Sequence, residues 1–188
     1  MRRGNLFVVS GPSGAGKGTL VARLLREVPD TWVSVSATTR KPREGEIDGV
    51  HYYFKTRDEF DELIACDGLL EWATYAGNSY GTPRAAVEAK MAEGKQVILE
   101  IDVQGAFQIR DKIPEAHLVF IEPPSLEVLE SRLRGRHTET EDVIASRMEA
   151  AQVELSRKME YDIRVINDDL DEATSELVAY VNDQAEQQ

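Results

Sequence analysis

The stretch that most constrains the fold is LFVVSGPSGAGKGTLVARLL, residues 6–25. It opens with a short apolar run, Leu6–Val9, which is typical of a buried strand. A glycine-rich loop, Gly11–Lys17, follows, and beyond it Leu20 and Leu24 lie at helical spacing. The order of strand, glycine loop and helix predicts an anion-binding turn at the end of the first strand.

The residue types in this loop suit a triphosphate. Glycines let backbone N–H groups turn inward, and the helix that follows adds unpaired N–H groups and the positive end of its dipole. Lys17 can reach the β and γ phosphates as a mobile charge. We predict that the triphosphate is bound by Gly11, Pro12, Ser13, Gly14, Ala15, Gly16, Lys17, Gly18 and Thr19.

The loop departs from the pattern G-x-x-x-x-G-K-[ST] at its last position. Gly18 stands where a magnesium-binding hydroxyl is usual, and Thr19 comes one residue later. Thr19 could bond a phosphate oxygen or orient metal-bound water, so direct coordination of Mg²⁺ by its hydroxyl stays open. The alternative for the whole stretch, a glycine-rich turn that merely caps a helix, is disfavoured by the flanking strand and helix.

Size and charge narrow the possible partners and compartment. The chain has 188 residues, enough for one sizeable core, and its net charge of -12 disfavours nucleic acid, which binds to basic faces. No segment approaches the length of a membrane span, and the apolar run after Met1–Arg3 is too short for a signal peptide. A single cysteine, Cys66, excludes an internal disulfide. We expect a cytoplasmic protein without a membrane partner, whose oligomeric state stays open.

A second candidate phosphate site lies in SATTRKPREGE, residues 36–46. Arg40 and Arg43 are three residues apart in a loop that contains proline and glycine. In a turn, both guanidinium groups could converge on one phosphate through paired hydrogen bonds. Taken alone, the segment is more typical of a solvated basic loop.

Residues 36–90 are predicted to form a mixed insertion between two strands of the main sheet. Within it, Leu69–Tyr75 is predicted to be a strand that carries Glu71 in an apolar setting. Residues 76–82 are predicted to be a turn, and Thr82 is expected to cap the next helix.

Two acidic residues follow at the end of the core strand predicted for Gln96–Ile101. Glu100 and Asp102 would share one face of this strand, with Asp102 nearer its carboxyl end. A carboxylate across from a phosphate loop is where a magnesium-bearing acid belongs, so Asp102 is the better metal candidate. The alternative is a pair of solvated acids at the strand end.

Arginines are concentrated in RLRGR, residues 132–136, before a long helix that carries Arg147. Arginines on a mobile loop can fold over transferring phosphates and offset the developing charge. The alternative is that they only complement a helix dipole. Along the whole chain, alternating strands and helices predict an α/β fold, with a parallel sheet covered by helices on both faces.

These motifs together resemble the guanylate kinase family over residues 4–181. The glycine loop is shared by many nucleotide enzymes, whereas ATTRKPREGE and EWATYAGNSYGTP are far more specific. The resemblance is carried by GPSGAGKGT (11–19), SVSATTRKPREGE (34–46), GVHYYF (49–54), LLEWATYAGNSYGTP (69–83), VILEIDVQG (97–105), RLRGRHTETEDVIASRM (132–148) and VINDDL (165–170).

The resemblance implies a P-loop NTPase fold and the reaction ATP + GMP giving ADP + GDP with Mg²⁺, in purine nucleotide supply and GMP recycling. It also implies a single domain, residues 4–183. This domain would comprise a core (4–35, 91–125 and 147–183), a GMP-binding insertion (36–90) and a short helical lid (126–146).

Residue by residue, the resemblance implies that catalysis depends on Lys17, Arg40, Arg132, Arg136 and Arg147. It implies that GMP is bound by Ser36, Arg40, Arg43, Tyr52, Glu71, Tyr80, Thr82 and Glu100. Asn167 would lie near adenine, and Asp102 would help to hold Mg²⁺ through water. Two departures from the family pattern are His137, where glycine is usual, and Thr82, where serine is commoner.

The chemistry of guanine independently favours this substrate. Its N1–H and N2–H₂ groups are adjacent donors, and a carboxylate such as Glu71 can accept from both, while Ser36 or Thr82 can donate to O6. Adenine lacks these donors and would leave a buried carboxylate unpaired. Two alternatives remain: a kinase for another nucleoside monophosphate, and a non-catalytic domain that binds peptides, as in some membrane-associated scaffolds.

Overall fold

The computed structural model describes residues 3–75, 77–135 and 140–187. Its strands, in chain order, are β1 (Leu6–Ser10), β2 (Thr31–Val33), β3 (Ala37–Thr38), β4 (Tyr53–Phe54), β5 (Leu69–Tyr75), β6 (Asn78–Pro83), β7 (Gln96–Glu100), β8 (His117–Glu122) and β9 (Ile163–Ile166). Its α-helices are α1 (Lys17–Glu27), α2 (Arg57–Ala65), α3 (Arg84–Ala92), α4 (Val103–Lys112), α5 (Leu126–Arg134), α6 (Glu141–Ser156) and α7 (Leu170–Glu186).

The main sheet has five strands in the order β2-β7-β1-β8-β9, and all neighbours are parallel. Successive side chains of a strand point to opposite faces. Accordingly, Leu6 and Val8 of β1 pack with side chains of α3 and α4, whereas Phe7 and Val9 pack with side chains of α1 and α7. Both faces of the sheet are therefore covered by helices, which confirms the predicted α/β fold.

A second, mixed sheet has the order β4-β3-β6-β5 and is built entirely from residues between β2 and β7. Strands β5 and β6 are antiparallel, β6 and β3 are antiparallel, and β3 and β4 are parallel. This sheet stands beside the carboxyl ends of the main strands and supplies one wall of the site described below.

The prediction of a turn over residues 76–82 was wrong for residues 78–82, which form most of β6. Tyr75 pairs directly with Asn78, and Gly77 adopts a left-handed φ of 78°. The polar residues that follow form β6 because β3 and β5 offer partners on both sides. Pairing with these two neighbours makes the segment a strand, although its sequence lacks the apolar alternation that usually marks one.

Two expectations about element ends also require correction. Thr82 does not cap a helix, because it lies within β6 and is fully buried, and Pro83 is the N-cap residue of α3. Strand β7 ends at Glu100, so Asp102 is not a strand residue. Its carboxylate instead caps α4 by accepting a hydrogen bond from the backbone N–H of Gly105 at 2.8 Å.

Neighbouring leucines in α1 provide a test of this packing. Leu24 is 0% exposed in the core, whereas the side chain of Leu25 is 40% exposed. We expect Leu24→Ala to lower the free energy of unfolding by about 2–5 kcal/mol, because it leaves a cavity. Leu25→Ala, the matched control, should cost less than about 1 kcal/mol. Urea denaturation measures both, and equal losses would contradict the assigned orientation of α1.

Candidate functional site

A cleft of about 760 Å³ opens at the carboxyl ends of the parallel strands. The loop after β1 and the start of α1 form its floor, the second sheet forms one wall, and α6 forms another. Many of the residues singled out in the sequence meet here: Gly11, Ser13, Lys17, Ser36, Tyr52, Glu71, Tyr80, Glu100, Asp102 and Arg147.

The glycine loop has the geometry of an anion cradle. Gly16 is the N-cap residue of α1 with a φ of 93°, a conformation that side chains rarely tolerate. A Cβ atom at Gly16 would lie 2.2 Å from Nδ2 of Asn167, and that nitrogen donates to the carbonyl of Ala15 at 2.8 Å. Asn167 therefore holds the loop in place. The residues of the loop between Ser13 and Thr19 line a small hollow.

Lys17 lies over this loop. Its Nζ donates to the carbonyl oxygens of Gly11 at 2.6 Å and of Pro12 at 3.1 Å. Glu100 lines both the cleft and the smaller hollow, and burial raises the pKa of its carboxyl while the charge of Lys17 opposes the rise. A positive charge and an acid thus lie together at the entrance to the anion cradle.

Glu71 is the most buried acid in the cleft, at 4% exposed. The hydroxyl of Thr82 donates to its Oε1 at 2.7 Å. Burial raises the pKa of Glu71 from 4.5 to about 7, and the hydrogen bond from Thr82 opposes the rise. Burial deprives this carboxylate of hydrogen bonds from water, and a ligand that donates hydrogen bonds can supply them instead.

The basic loop is organised around an acid that the sequence reasoning missed. Both terminal nitrogens of Arg40 donate to Glu46, at 2.9 and 2.8 Å, and the backbone N–H of Arg43 donates to the same carboxylate at 2.7 Å. These bonds, chiefly that from Arg40, hold the pKa of Glu46 at about 2. The signal was present in the sequence as a carboxylate six residues after an arginine in a turn.

Aromatic side chains complete this corner of the cleft. The guanidinium of Arg40 lies 5.3 Å from the centre of the Tyr52 ring, and the rings of Tyr52 and Tyr80 are 6.1 Å apart. Ser36 joins them, and its carbonyl accepts from the backbone N–H of Tyr53 at 2.9 Å. Two phenol side chains thus line the cleft with a cation packed against one of them, an arrangement suited to a phosphate.

Arginines of α5 and α6 contact the glycine loop or its support. Arg147 donates to the hydroxyl of Ser13 at 2.6 Å, and Arg132 donates to the carbonyl of Asn167 at 2.9 Å. The other predicted lid residues, Arg136 and the departure at His137, lie outside the described residues. Two of the predicted arginines thus contact the glycine loop or the residue that supports it.

Oxygen donors near the loop suit a magnesium ion. Asp102 and Glu100 line the cleft, and Thr19 lines the adjoining hollow. In the part of the chain that the structure describes, no three His, Cys, Asp or Glu residues enclose a metal site. This donor set fits an ion held largely by nucleotide phosphates and water, because Mg²⁺ commonly keeps several waters.

The cleft residues that were not identified from the sequence include Gln104, Glu154 and Arg157. Burial raises the pKa of Glu154, and the charge of Lys17 opposes the rise. Glu154 lies seven residues after Arg147, hence on the same face of α6. That spacing was the available signal, although it requires knowing which face of the helix is turned towards the cleft.

A search of the helices in the described residues found none with the length and apolar content needed to cross a membrane.

Known proteins resemble this chain over nearly its whole length. A family model described as guanylate kinase matches residues 3–184. A guanylate kinase of Synechococcus sp. strain CC9311 is 53% identical over 175 residues, covering 93% of this chain and 92% of that protein. One from Streptomyces coelicolor is 52% identical over 180 residues, covering 96% and 91%. The crystal structure of guanylate kinase from Anaplasma phagocytophilum superposes with a TM-score of 0.80 at 31% identity, covering 98% and 87%.

The pKa of Glu71 has a consequence for stability. Between pH 4.5 and about 7 the folded protein retains a proton that the unfolded chain releases, so the contribution of this group is lost as the pH rises. Glutamine does not titrate, so we expect the free energy of unfolding of Glu71→Gln to lack this decrease. Its advantage over wild type should grow by up to about 3 kcal/mol from pH 5 to pH 8. Denaturant titrations at several pH values measure it. Glu149→Gln, at an exposed position, is the control, and parallel curves for wild type and Glu71→Gln would contradict the assignment.

Proposed function

The chain belongs to the guanylate kinase family, and on that premise we propose how its residues transfer the γ-phosphoryl group of ATP to GMP, giving ADP and GDP. As an ATP:GMP phosphotransferase, it serves purine nucleotide supply. The observation that carries the proposed roles is Glu71, a buried carboxylate held by Thr82 in the same cleft as the glycine loop.

ATP binds with its phosphates in the loop from Gly11 to Thr19. Lys17 turns from the loop carbonyls to the β and γ phosphates, which are stronger acceptors. Arg132 and Arg147 add positive charge from the side of α5 and α6, together with Arg136, and Asn167 lies near adenine. The support for this arrangement is the left-handed glycine geometry and the arginine contacts with Ser13 and Asn167.

GMP binds at the wall formed by the second sheet. The carboxylate of Glu71 accepts from N1–H and N2–H₂ of guanine, while Thr82, whose hydroxyl already donates to Glu71, holds that carboxylate in place. Ser36 is then the donor to O6, and Glu100 completes the base site. The GMP phosphate is bound by Arg40, Arg43, Tyr52 and Tyr80, with Glu46 keeping the guanidinium of Arg40 in position.

The protein accelerates transfer mainly by positioning. In-line attack by an oxygen of the GMP phosphate needs no strong base, but two polyanions must be brought together. Lys17 and the arginines offset that repulsion, and closure of the GMP insertion (36–90) and the lid (126–146) over the core excludes water that would hydrolyse ATP. Asp102, through water, and Thr19 are the residues that we propose would hold Mg²⁺, which would supply positive charge to neutralise the nucleotide phosphates.

We also propose that the protein works in the cytoplasm on these small molecules, without nucleic acid or membrane partners. One free, exposed thiol, Cys66, supports this compartment, because reducing conditions preserve such a group.

The first experiment follows ADP formation from ATP and Mg²⁺, with GMP or AMP supplied separately. We expect the wild-type protein to prefer GMP by about 10⁴-fold in kcat/KM, because AMP leaves Glu71 unpaired.

Glu71→Gln should raise the KM for GMP about tenfold or more and change the KM for ATP little, since it exchanges an acceptor for a donor. Equal effects on both KM values would refute the role of Glu71, and turnover with neither monophosphate while GMP still binds would indicate a non-catalytic binding domain.

A second prediction concerns the loop cation. We expect Lys17→Ala to lower kcat by at least about a hundredfold, because the charge between the two polyanions is lost. Thermal unfolding should be nearly unchanged, since the Nζ of Lys17 donates to backbone carbonyls of its own loop, at Gly11 and Pro12. Lys90→Ala, which removes a surface pair with Glu93, is the control. Near-normal turnover of Lys17→Ala would overturn its assignment.

A further inference from the structure

Helix α4 is hydrogen-bonded to β5, the strand that carries Glu71. Lys112 donates to the carbonyl of Leu70 at 2.7 Å. Gln108 accepts from the backbone N–H of Trp72 at 3.2 Å and donates to its carbonyl at 2.9 Å. The two residues that flank Glu71 in β5 are therefore bonded to α4 rather than held by a strand alone.

The pairing of β5 with β6 explains why this support matters. Leu69 pairs with Pro83 and Trp72 with Gly81, so three steps along β5 oppose two along β6, and Glu71 lies in the resulting bulge. Bulges redirect side chains but interrupt the ladder of hydrogen bonds. The hydrogen bonds from Gln108 and Lys112 compensate for that interruption, because they hold the backbone of Trp72 and Leu70 on either side of Glu71.

Gly105 lies on the same face of α4, three residues before Gln108. A Cβ atom at position 105 would lie 2.6 Å from Oε2 and 3.1 Å from Cδ of Glu71, closer than non-bonded atoms normally approach. The carboxylate has little freedom to retreat, because it is 4% exposed and bonded to Thr82. Within a helix, glycine is otherwise a poor choice compared with alanine, so its presence here is explained by the room it leaves.

Gly105 also touches the metal side of the site. Its backbone N–H donates to Oδ1 of Asp102 at 2.8 Å, while its Cα faces Oε2 of Glu71. The first turn of α4 thus lies between the carboxylate assigned to guanine and the one assigned to Mg²⁺.

We propose that Gly105 determines the specificity of this enzyme for guanine, because its missing side chain provides the space in which the Glu71 carboxylate stands, and that Gln108 and Lys112 are positioning residues for the same group. This inference rests on the proposed role of Glu71 in binding GMP. Any side chain at position 105 displaces the carboxylate and weakens its hydrogen bond with Thr82.

The central test is Gly105→Ala. We expect the KM for GMP to rise about tenfold or more, the loss that a misplaced charged hydrogen-bond partner produces. The KM for ATP and the value of kcat at saturating GMP should change little, and the preference for GMP over AMP should fall. Calorimetric titration with GMP alone should show the same loss of affinity, which separates binding from turnover.

A double-mutant cycle identifies the cause. In a Glu71→Ala background the crowded carboxylate is absent, so Gly105→Ala should add almost nothing to the KM for GMP. An undiminished effect of Gly105→Ala in that background would overturn the proposal, because the substitution would then act elsewhere.

Gln108→Ala provides a second variant in case Gly105→Ala does not fold. It removes both bonds to Trp72 from a half-buried position, so it should raise the KM for GMP several-fold and leave the KM for ATP unchanged. Asp111→Ala, at an exposed position of α4, is the matched control and should leave both values unchanged.

The outcomes distinguish a failure of the proposed function from a failure of the inference about α4. A wild-type protein that does not phosphorylate GMP would overturn the roles given under the proposed function. A wild-type protein that does so, with an unchanged KM for GMP in a folded Gly105→Ala or in Gln108→Ala, would overturn only the inference about α4.

Discussion

The hydrogen bond from Thr82 to Glu71 is the contact on which the wall proposed to bind the base depends. It joins β5 to β6 through side chains where the bulge weakens their backbone pairing, and it reduces the penalty of burying a carboxylate. The strand that carries it is in turn bonded to α4, a helix of the main sheet. Under the proposed function, substrate recognition therefore depends on the junction between the two sheets as much as on either one.

Charge is distributed to serve the same cleft. The chain as a whole is acidic, at -12, yet Lys17 and Arg147 line the cleft, and Arg40 lies against Tyr52, a ring that also lines it. Each of these cations donates to an acceptor of the protein itself: loop carbonyls for Lys17, Glu46 for Arg40 and a hydroxyl for Arg147. Each such contact keeps a long side chain near its working position, which lowers the entropy lost on binding a phosphate.

The features recovered from the sequence were those set by local chemistry. The apolar run and the glycines before Lys17 specify a strand, a left-handed turn and a helix within one short segment, so the α/β fold and the location of the cleft followed. Features decided by distant partners were not recovered. The strand β6 depends on β3 and β5, the cap formed by Asp102 depends on where β7 ends, and Glu154 depends on the rotation of α6. The resemblance to a family, rather than periodicity, identified Thr82 as a site residue.

The position of β1 in the sheet has a dynamic consequence. This strand lies between β7 and β8, paired on both sides, and its side chains are buried on both faces. The glycine loop that leaves it is thus attached to one of the most constrained backbone segments of the molecule. Any rearrangement that brings two nucleotides together must then be made by the flanking parts, and the loop serves as the fixed frame of reference against which their displacement occurs.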